Sequence, residues 1–148
     1  MILFTLGFFM SFVAMEFTAW FLHKYALHGP FWFIHRDHHE VDPKKKIQRN
    51  DSFAIVFAIP SVCFIYSGVK YASQFYSGLG YGILAYGIVY FFVHEIIIHK
   101  RYGFFKTPKL TYFQWVSIRH RQHHSSLDKS KATDFGMLFL NQIKKKEQ

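Results

Sequence analysis

The ten histidines of the chain fall into four short clusters: His23 and His28 in HKYALH, His35, His38 and His39 in HRDHH, His94 and His99 in HEIIIH, and His120, His123 and His124 in HRQHH. One order occurs twice: an apolar stretch, then HxxxxH, then HxxHH. Neutral imidazole is the commonest protein ligand for borderline metal ions, and helical residues at i, i+3 and i+4 share a face. HxxHH on a helix therefore presents its first and second histidines to one side, with the third about 100° round from the second. The five-residue step of HxxxxH rotates about 140° and rises about 7.5 Å on a regular α-helix, so its two rings cannot share a narrow stripe. They can serve a site near a helix end, and Gly29 and Pro30 stop the first helix just beyond His28. A structural zinc takes four ligands and a catalytic zinc three plus water. Ten imidazoles therefore suit two metal ions, each with four or five histidines. Imidazole accepts Zn, Cu, Fe and Ni alike, so the ligands alone do not select the metal.

The elements that must hold these clusters are apolar. The chain has 148 residues, about one domain, and 51% of them are hydrophobic and 21% aromatic, far above an ordinary soluble chain. Stretches 1–22, 53–69 and 79–98 are each long and apolar enough to cross a bilayer. The first has neither the basic start nor the small-residue cleavage site of a signal peptide and reads as a permanent span. Pro60 inside the second is tolerated as a kink. The expected fold is an all-α integral membrane helical bundle, one domain over 1–148, with three spans and a histidine-rich cap. The single cysteine, Cys63, has no disulfide partner and reads as a small buried hydrophobe.

Charge gives the orientation. Of 18 lysines and arginines only Lys70 lies between the second and third spans; the rest lie in 23–52 or after 98, which three crossings place on one side. Basic residues accumulate on the cytoplasmic side, so the cap is expected there. The net charge of +9 comes with no helix-turn-helix, zinc finger or basic-aromatic sheet pattern, so nucleic acid is not the expected partner. Attraction to anionic membrane lipid and topology account for it better. The KKK runs at 44–46 and 144–146 read as solvated or lipid-facing.

Four carboxylates are candidates for orienting the histidines from outside the ligand set. Glu16 lies inside the first span, where an ionisable residue is functional by default; Asp37, Glu95 and Asp134 lie beside or near the clusters. Asp51, next to Asn50, reads as a cap for the second span. Phe31, Trp32, Phe33, Phe113 and Trp115 suit an interfacial aromatic belt, or else the lining of an apolar pocket.

The order HKYALHG, HRDHH, RNDSFAIVFAIPS, FFVHEIIIHKR and HRQHH resembles the fatty acid hydroxylase and sterol desaturase superfamily, and most closely its bacterial carotenoid β-ring hydroxylases, from about Met15 to Phe139. Many members of that superfamily have four spans, against three counted here. The resemblance implies two iron ions held by all ten histidines, O2 as cosubstrate, and electrons from ferredoxin or a similar acidic donor. It implies hydroxylation of carbon 3 of each β-ionone ring, taking β-carotene through β-cryptoxanthin to zeaxanthin at the bacterial inner membrane. Lys44, Lys45, Lys46, Arg119 and Arg121 form a basic face to which an acidic donor could dock. Hydroxylation or desaturation of fatty acyl chains or sterols would use the same metal site, and histidine-rich membrane loops also occur in metal transporters. A zinc protease is excluded by spacing, since HEIIIH is one residue longer than HExxH.

Overall fold

The computed structural model describes residues 1–40, 45, 47–101, 103 and 108–140, all of whose regular elements are helical. Helix α1 (Ile2–Phe21) runs on into a π-helical turn over Leu22–Leu27. After Gly29 and Pro30 the short α2 (Trp32–His39) carries HRDHH. A 3-10 turn (Arg49–Phe53) leads into α3 (Ala54–Lys70), a tight turn reverses the chain, and α4 (Gln74–Phe91) runs on into a second π-helical turn over Phe92–Ile98. Helix α5 (Thr111–His124) carries HRQHH, and residues 125–140 form an irregular strap.

Three continuous helices are long and apolar enough to span a membrane: Ile2–Leu27, Arg49–Lys70 and Gln74–Ile98. The second and third contain an expected span, the first covers its expected span from residue 2, and all three overrun it at one end or both. The third begins at Gln74 because the Ser73 hydroxyl caps the helix by accepting the Tyr76 N–H at 3.3 Å. Large apolar side chains such as Phe9, Val13, Ile59, Val62 and Ile88 face outward, as a lipid environment permits. Cys63 is also exposed, on α3; this corrects the expectation that it would be buried.

Helix α4 is the centre of the bundle and packs against both α1 and α3. Lipid offers no hydrophobic drive between helices, so close backbone approach at small residues takes its place. A Cβ on Gly82 would run into the Phe8 carbonyl and Ser11 of α1, and one on Gly80 would lie 2.8 Å from the Ser61 carbonyl of α3. The Ser61 hydroxyl also donates to the Gly80 carbonyl at 2.9 Å. Contacts advance in step along α1 and α4, from Phe4–Gly78 to Phe8–Gly82 to Phe12–Tyr86, so the two helices are parallel. Both π-helical turns therefore emerge at the same end of the bundle, and α2, α5 and the strap close over them.

Candidate metal centre

The π-helical turns solve the geometric problem posed by HxxxxH. A π-helix bonds each N–H to the fifth residue back. The His28 N–H donates to the His23 carbonyl at 3.0 Å and the His99 N–H to the His94 carbonyl at 2.9 Å. The five-residue repeat thus matches the local helix, and each pair faces one way with ring centroids 5.2 Å apart for His23 and His28 and 4.5 Å for His94 and His99.

The rings assemble into two neighbouring groups. His23, His28, His35, His39 and His123 bring one nitrogen each within 4.8 Å of one another, and so do His38, His94, His99 and His120. The pairing inside HxxHH corrects the sequence expectation. His35 sides with His39, four residues on, while His38 turns to the other group; in α5 it is His123 that crosses over. The second histidine of each motif is thereby exchanged between the halves of the chain. His124 lies where the groups meet, its ring stacked on His39 at 4.4 Å and 4.5 Å from His120. The buried Nε2 atoms of His124 and His39 have no hydrogen-bond partner.

Outward-facing nitrogens fix the tautomers. Nδ1 of His23, His28, His39 and His123 lies 3.0, 3.0, 3.1 and 2.7 Å from the carbonyl oxygens of Phe135, Lys129, Ser126 and Thr133. Nδ1 of His35 and His38 meets Asn50 Oδ1 at 2.7 Å and Gln48 Oε1 at 2.8 Å, and that of His94 meets Glu95 Oε1 at 2.6 Å. These oxygens accept, so each Nδ1 carries the hydrogen and each Nε2 presents a bare lone pair inward. Yet Nε2 of His28 stands 3.1 Å from that of His123, His23 stands 3.0 Å from His35, and His38 stands 3.1 Å from His94. Two lone pairs facing at that distance repel unless a cation sits between them. Two nitrogens about 2.1 Å from one ion stand about 3.0 to 3.4 Å apart, so these spacings suit a shared metal ion.

Burial prepares the ligands electrostatically. It favours the uncharged ring, lowering His35 and His99 to about 3 and His39 to about 4, and holding His38 and His120, which also face neighbouring imidazoles, well below the ordinary value. Burial thus favours the neutral form of these five rings, the form that binds metal.

The four carboxylates occupy distinct places. Glu95 orients His94 directly, and its other oxygen pairs with Arg101 Nε at 2.9 Å. Arg101 also holds both oxygens of Asp51 at 2.9 and 2.8 Å and Gln48 Oε1 at 2.7 Å, so one guanidinium ties together the partners of His94 and His38. Asp51 also accepts the Gln48 N–H at 2.9 Å, the capping contact ahead of α3. Asp37 accepts the Arg49 N–H at 2.7 Å, which fixes α2 against the turn carrying Gln48 and Asn50. Asp134 pairs with Arg119 at 3.2 Å and takes a left-handed backbone at φ 62° between Thr133 and Phe135, whose carbonyls serve His123 and His23. Among the described contacts only Glu95 of the four carboxylates touches a histidine, and Glu16, like Asp37 and Asp134, touches none. Completely buried, Glu16 accepts the backbone N–H groups of Met137, Leu138, Phe139 and Leu140 on Oε1 at 2.8 to 3.1 Å and the Tyr86 hydroxyl on Oε2 at 2.8 Å.

Aromatic rings close the remaining sides. Phe135 lies against His23, His28 and His123 at 5.0 to 5.5 Å, Trp32 against His28 and His39 at 5.0 and 5.2 Å, and Tyr90 against His94 at 5.0 Å. Phe113 and Trp115 pack on the core beneath α5, while Phe31 and Phe33 are exposed, as belt residues are. The basic docking face loses Arg119, which is 9% exposed and paired with Asp134. Lys45 and Arg121 are exposed; Lys44, Lys46 and the run at 144–146 lie outside the described residues.

Buried histidine groups that could hold metal ions, at one end of a bundle able to span a membrane, suit a membrane-bound enzyme, and the comparisons name the family. A protein-family profile described as fatty acid hydroxylase matches residues 8–141, and the chain belongs to that family. β-Carotene hydroxylases are among its curated relatives. That of Pantoea ananas is 36% identical over 140 residues, covering 93% of this chain and 77% of the relative. That of Pseudescherichia vulneris is 33% identical over 131 residues, covering 88% of this chain and 73% of the relative. The chloroplastic β-carotene 3-hydroxylase of an Oncidium hybrid cultivar is 35% identical over 135 residues, of which this chain spans 42% of the plant protein's length. No solved structure matches.

Proposed function

We propose that this chain is a di-iron, O2-dependent hydroxylase of carotenoid β-ionone rings, converting β-carotene through β-cryptoxanthin to zeaxanthin. The observation that carries the reading is the convergence of bare Nε2 lone pairs from both halves of the chain into two adjacent groups. His23, His28, His35, His39 and His123 would hold one iron, and His38, His94, His99 and His120, completed by His124, the other. Breaking an unactivated C–H bond calls for a strong oxidant, which two reduced irons supply from O2 and which redox-inert zinc does not.

The protein's own part is to bind, orient and exclude water. Carbonyls of the strap and the side chains of Asn50, Gln48 and Glu95 fix the ring orientations, and Phe135, Trp32 and Tyr90 shield them. A site at the end of the bundle lets a lipid-soluble carotenoid arrive from the membrane while ferredoxin or a similar acidic donor approaches from water. The lysine and arginine distribution supports the cytoplasmic side for that end, and the bacterial relatives support a bacterial inner membrane. Lys45 and Arg121 remain available to attract the donor.

Expression of the full chain in a host that accumulates β-carotene, followed by pigment chromatography, tests the substrate. The expected result is β-cryptoxanthin and then zeaxanthin. Unchanged β-carotene alongside newly hydroxylated or desaturated acyl chains or sterols would refute the carotenoid assignment.

A further inference from the structure

The two histidine groups are oriented by different kinds of partner. In the group of His23, His28, His35, His39 and His123, four of five Nδ1 atoms donate to backbone carbonyls of the strap, at Phe135, Lys129, Ser126 and Thr133. In the other group, His38 and His94 donate to the side chains of Gln48 and Glu95, which belong to the bundle and the turn before α3. The first group thus depends on where an irregular segment lies, whereas the described Nδ1 partners in the second, those of His38 and His94, lie outside that segment.

The strap has no regular hydrogen-bond ladder to fix it, so its position rests on a few attachments. The largest is at Glu16, where four consecutive strap N–H groups from Met137 to Leu140 converge on one carboxylate oxygen inside α1. All five partners of this carboxylate donate, and a buried acidic group that accepts five hydrogen bonds holds its donors firmly. Other attachments are Met137 and Leu138, which pack in the hydrophobic core, the Tyr112 hydroxyl, which donates to the Leu138 carbonyl at 2.9 Å, and the Arg119–Asp134 pair at 3.2 Å.

We infer that Glu16 is a positioning residue that latches the strap onto the bundle and so sets the ligand geometry of one metal site only, that of His23, His28, His35, His39 and His123. The inference rests on the two-metal reading above. Loss of the latch should lower iron affinity at this site about 10- to 100-fold, the usual cost of removing partners that orient a ligand, and leave the His38, His94, His99 and His120 site intact.

The test uses the full chain purified in detergent, loaded with ferrous iron, with iron per chain and hydrogen exchange of residues 125–140 as readouts. Wild type should hold about two irons. Glu16→Ala should hold about one, with fast exchange in the strap. Glu16→Gln, whose amide oxygen still accepts N–H groups, should hold nearly the wild-type amount, and Tyr86→Phe should hold all of it. Adding His38→Ala to Glu16→Ala should release the surviving iron, while adding His28→Ala should not. If Glu16→Ala does not accumulate, Phe139→Pro deletes one of the four donors outside the bundle and is read in the same way. Two irons retained in Glu16→Ala, or a surviving iron that His28→Ala releases and His38→Ala does not, would overturn the inference. Wild type that fails to hold about two irons would count instead against the two-metal reading.

Discussion

Nε2 of His28 lies 3.1 Å from Nε2 of His123, although 95 residues separate them along the chain. Its counterpart is His38 against His94, also at 3.1 Å. Each half of the histidine repeat lends the second member of its HxxHH to the other half, so each group draws histidines from both halves. The exchange couples α2 to α5 and makes the cap a single unit.

It follows that adjacent residues have separable roles. His38→Ala and His39→Ala should both abolish hydroxylation while the protein stays in the membrane. His38→Ala should empty the group of His94, His99 and His120, whereas His39→Ala should weaken the group of His23, His28 and His123. Iron analysis of each purified variant, combined with a second alanine in either group, distinguishes the two. Loss of the same iron in both variants would contradict the grouping.

Arg101 should prove critical to stability although it touches no histidine in the described contacts. It neutralises Glu95 and Asp51 in a largely buried network, and removing one partner of such a network costs about 3 to 5 kcal/mol. Arg101→Ala should lower the thermal midpoint in detergent markedly and reduce activity. Arg101→Lys should recover little, because a point charge cannot reproduce the fork that joins Glu95, Asp51 and Gln48. Unchanged melting of Arg101→Ala would contradict this role.

Acidification should destabilise the metal-free chain. The folded-state values of His35 and His99 are lowered from 6.5 to about 3 and that of His39 to about 4, so the unfolded chain binds more protons in this range. Stability is then fully present above about 6.5 and declines as pH falls towards 3. Thermal melts of metal-free protein across that window should show a falling midpoint, with metal-loaded protein resisting to lower pH because the ion competes with protons. A flat profile would contradict the buried neutral set.

Helix packing gives a prediction independent of the metal. Gly82→Val places a branched side chain against the Phe8 carbonyl and Ser11 and should force α1 away from α4. Gly87→Val, at a glycine with open space around its Cβ, should leave folding far less affected. Comparing the detergent melts of the two variants checks this.

Much of this was legible in the sequence because membrane spans and metal ligands both write themselves in residue types. Three apolar runs gave three spanning helices, and the four histidine clusters came together at one end of the bundle. What stayed hidden depends on backbone. HxxxxH is awkward on an α-helix and natural on a π-helix, but composition does not reveal that Leu22–Leu27 and Phe92–Ile98 adopt the wider turn. The carbonyls of Ser126, Lys129, Thr133 and Phe135 orient four histidines and carry no residue signature at all. Gln48 and Arg101 offered only a faint signal: a buried Glu95 needs a cation, and Arg101 lies six residues on. Glu16 was identifiable as an intramembrane acid, yet its partners are backbone N–H groups more than a hundred residues away.

Iron content is the most direct measure of the central claim that ten histidines build a two-metal oxidation centre. The full chain, purified anaerobically after expression with ample iron and washed free of loose metal, should carry about two irons per chain, and His28→Ala with His38→Ala together should carry about none. A wild-type chain that instead carries exchangeable zinc and consumes no O2 with a reductant and β-carotene would contradict it.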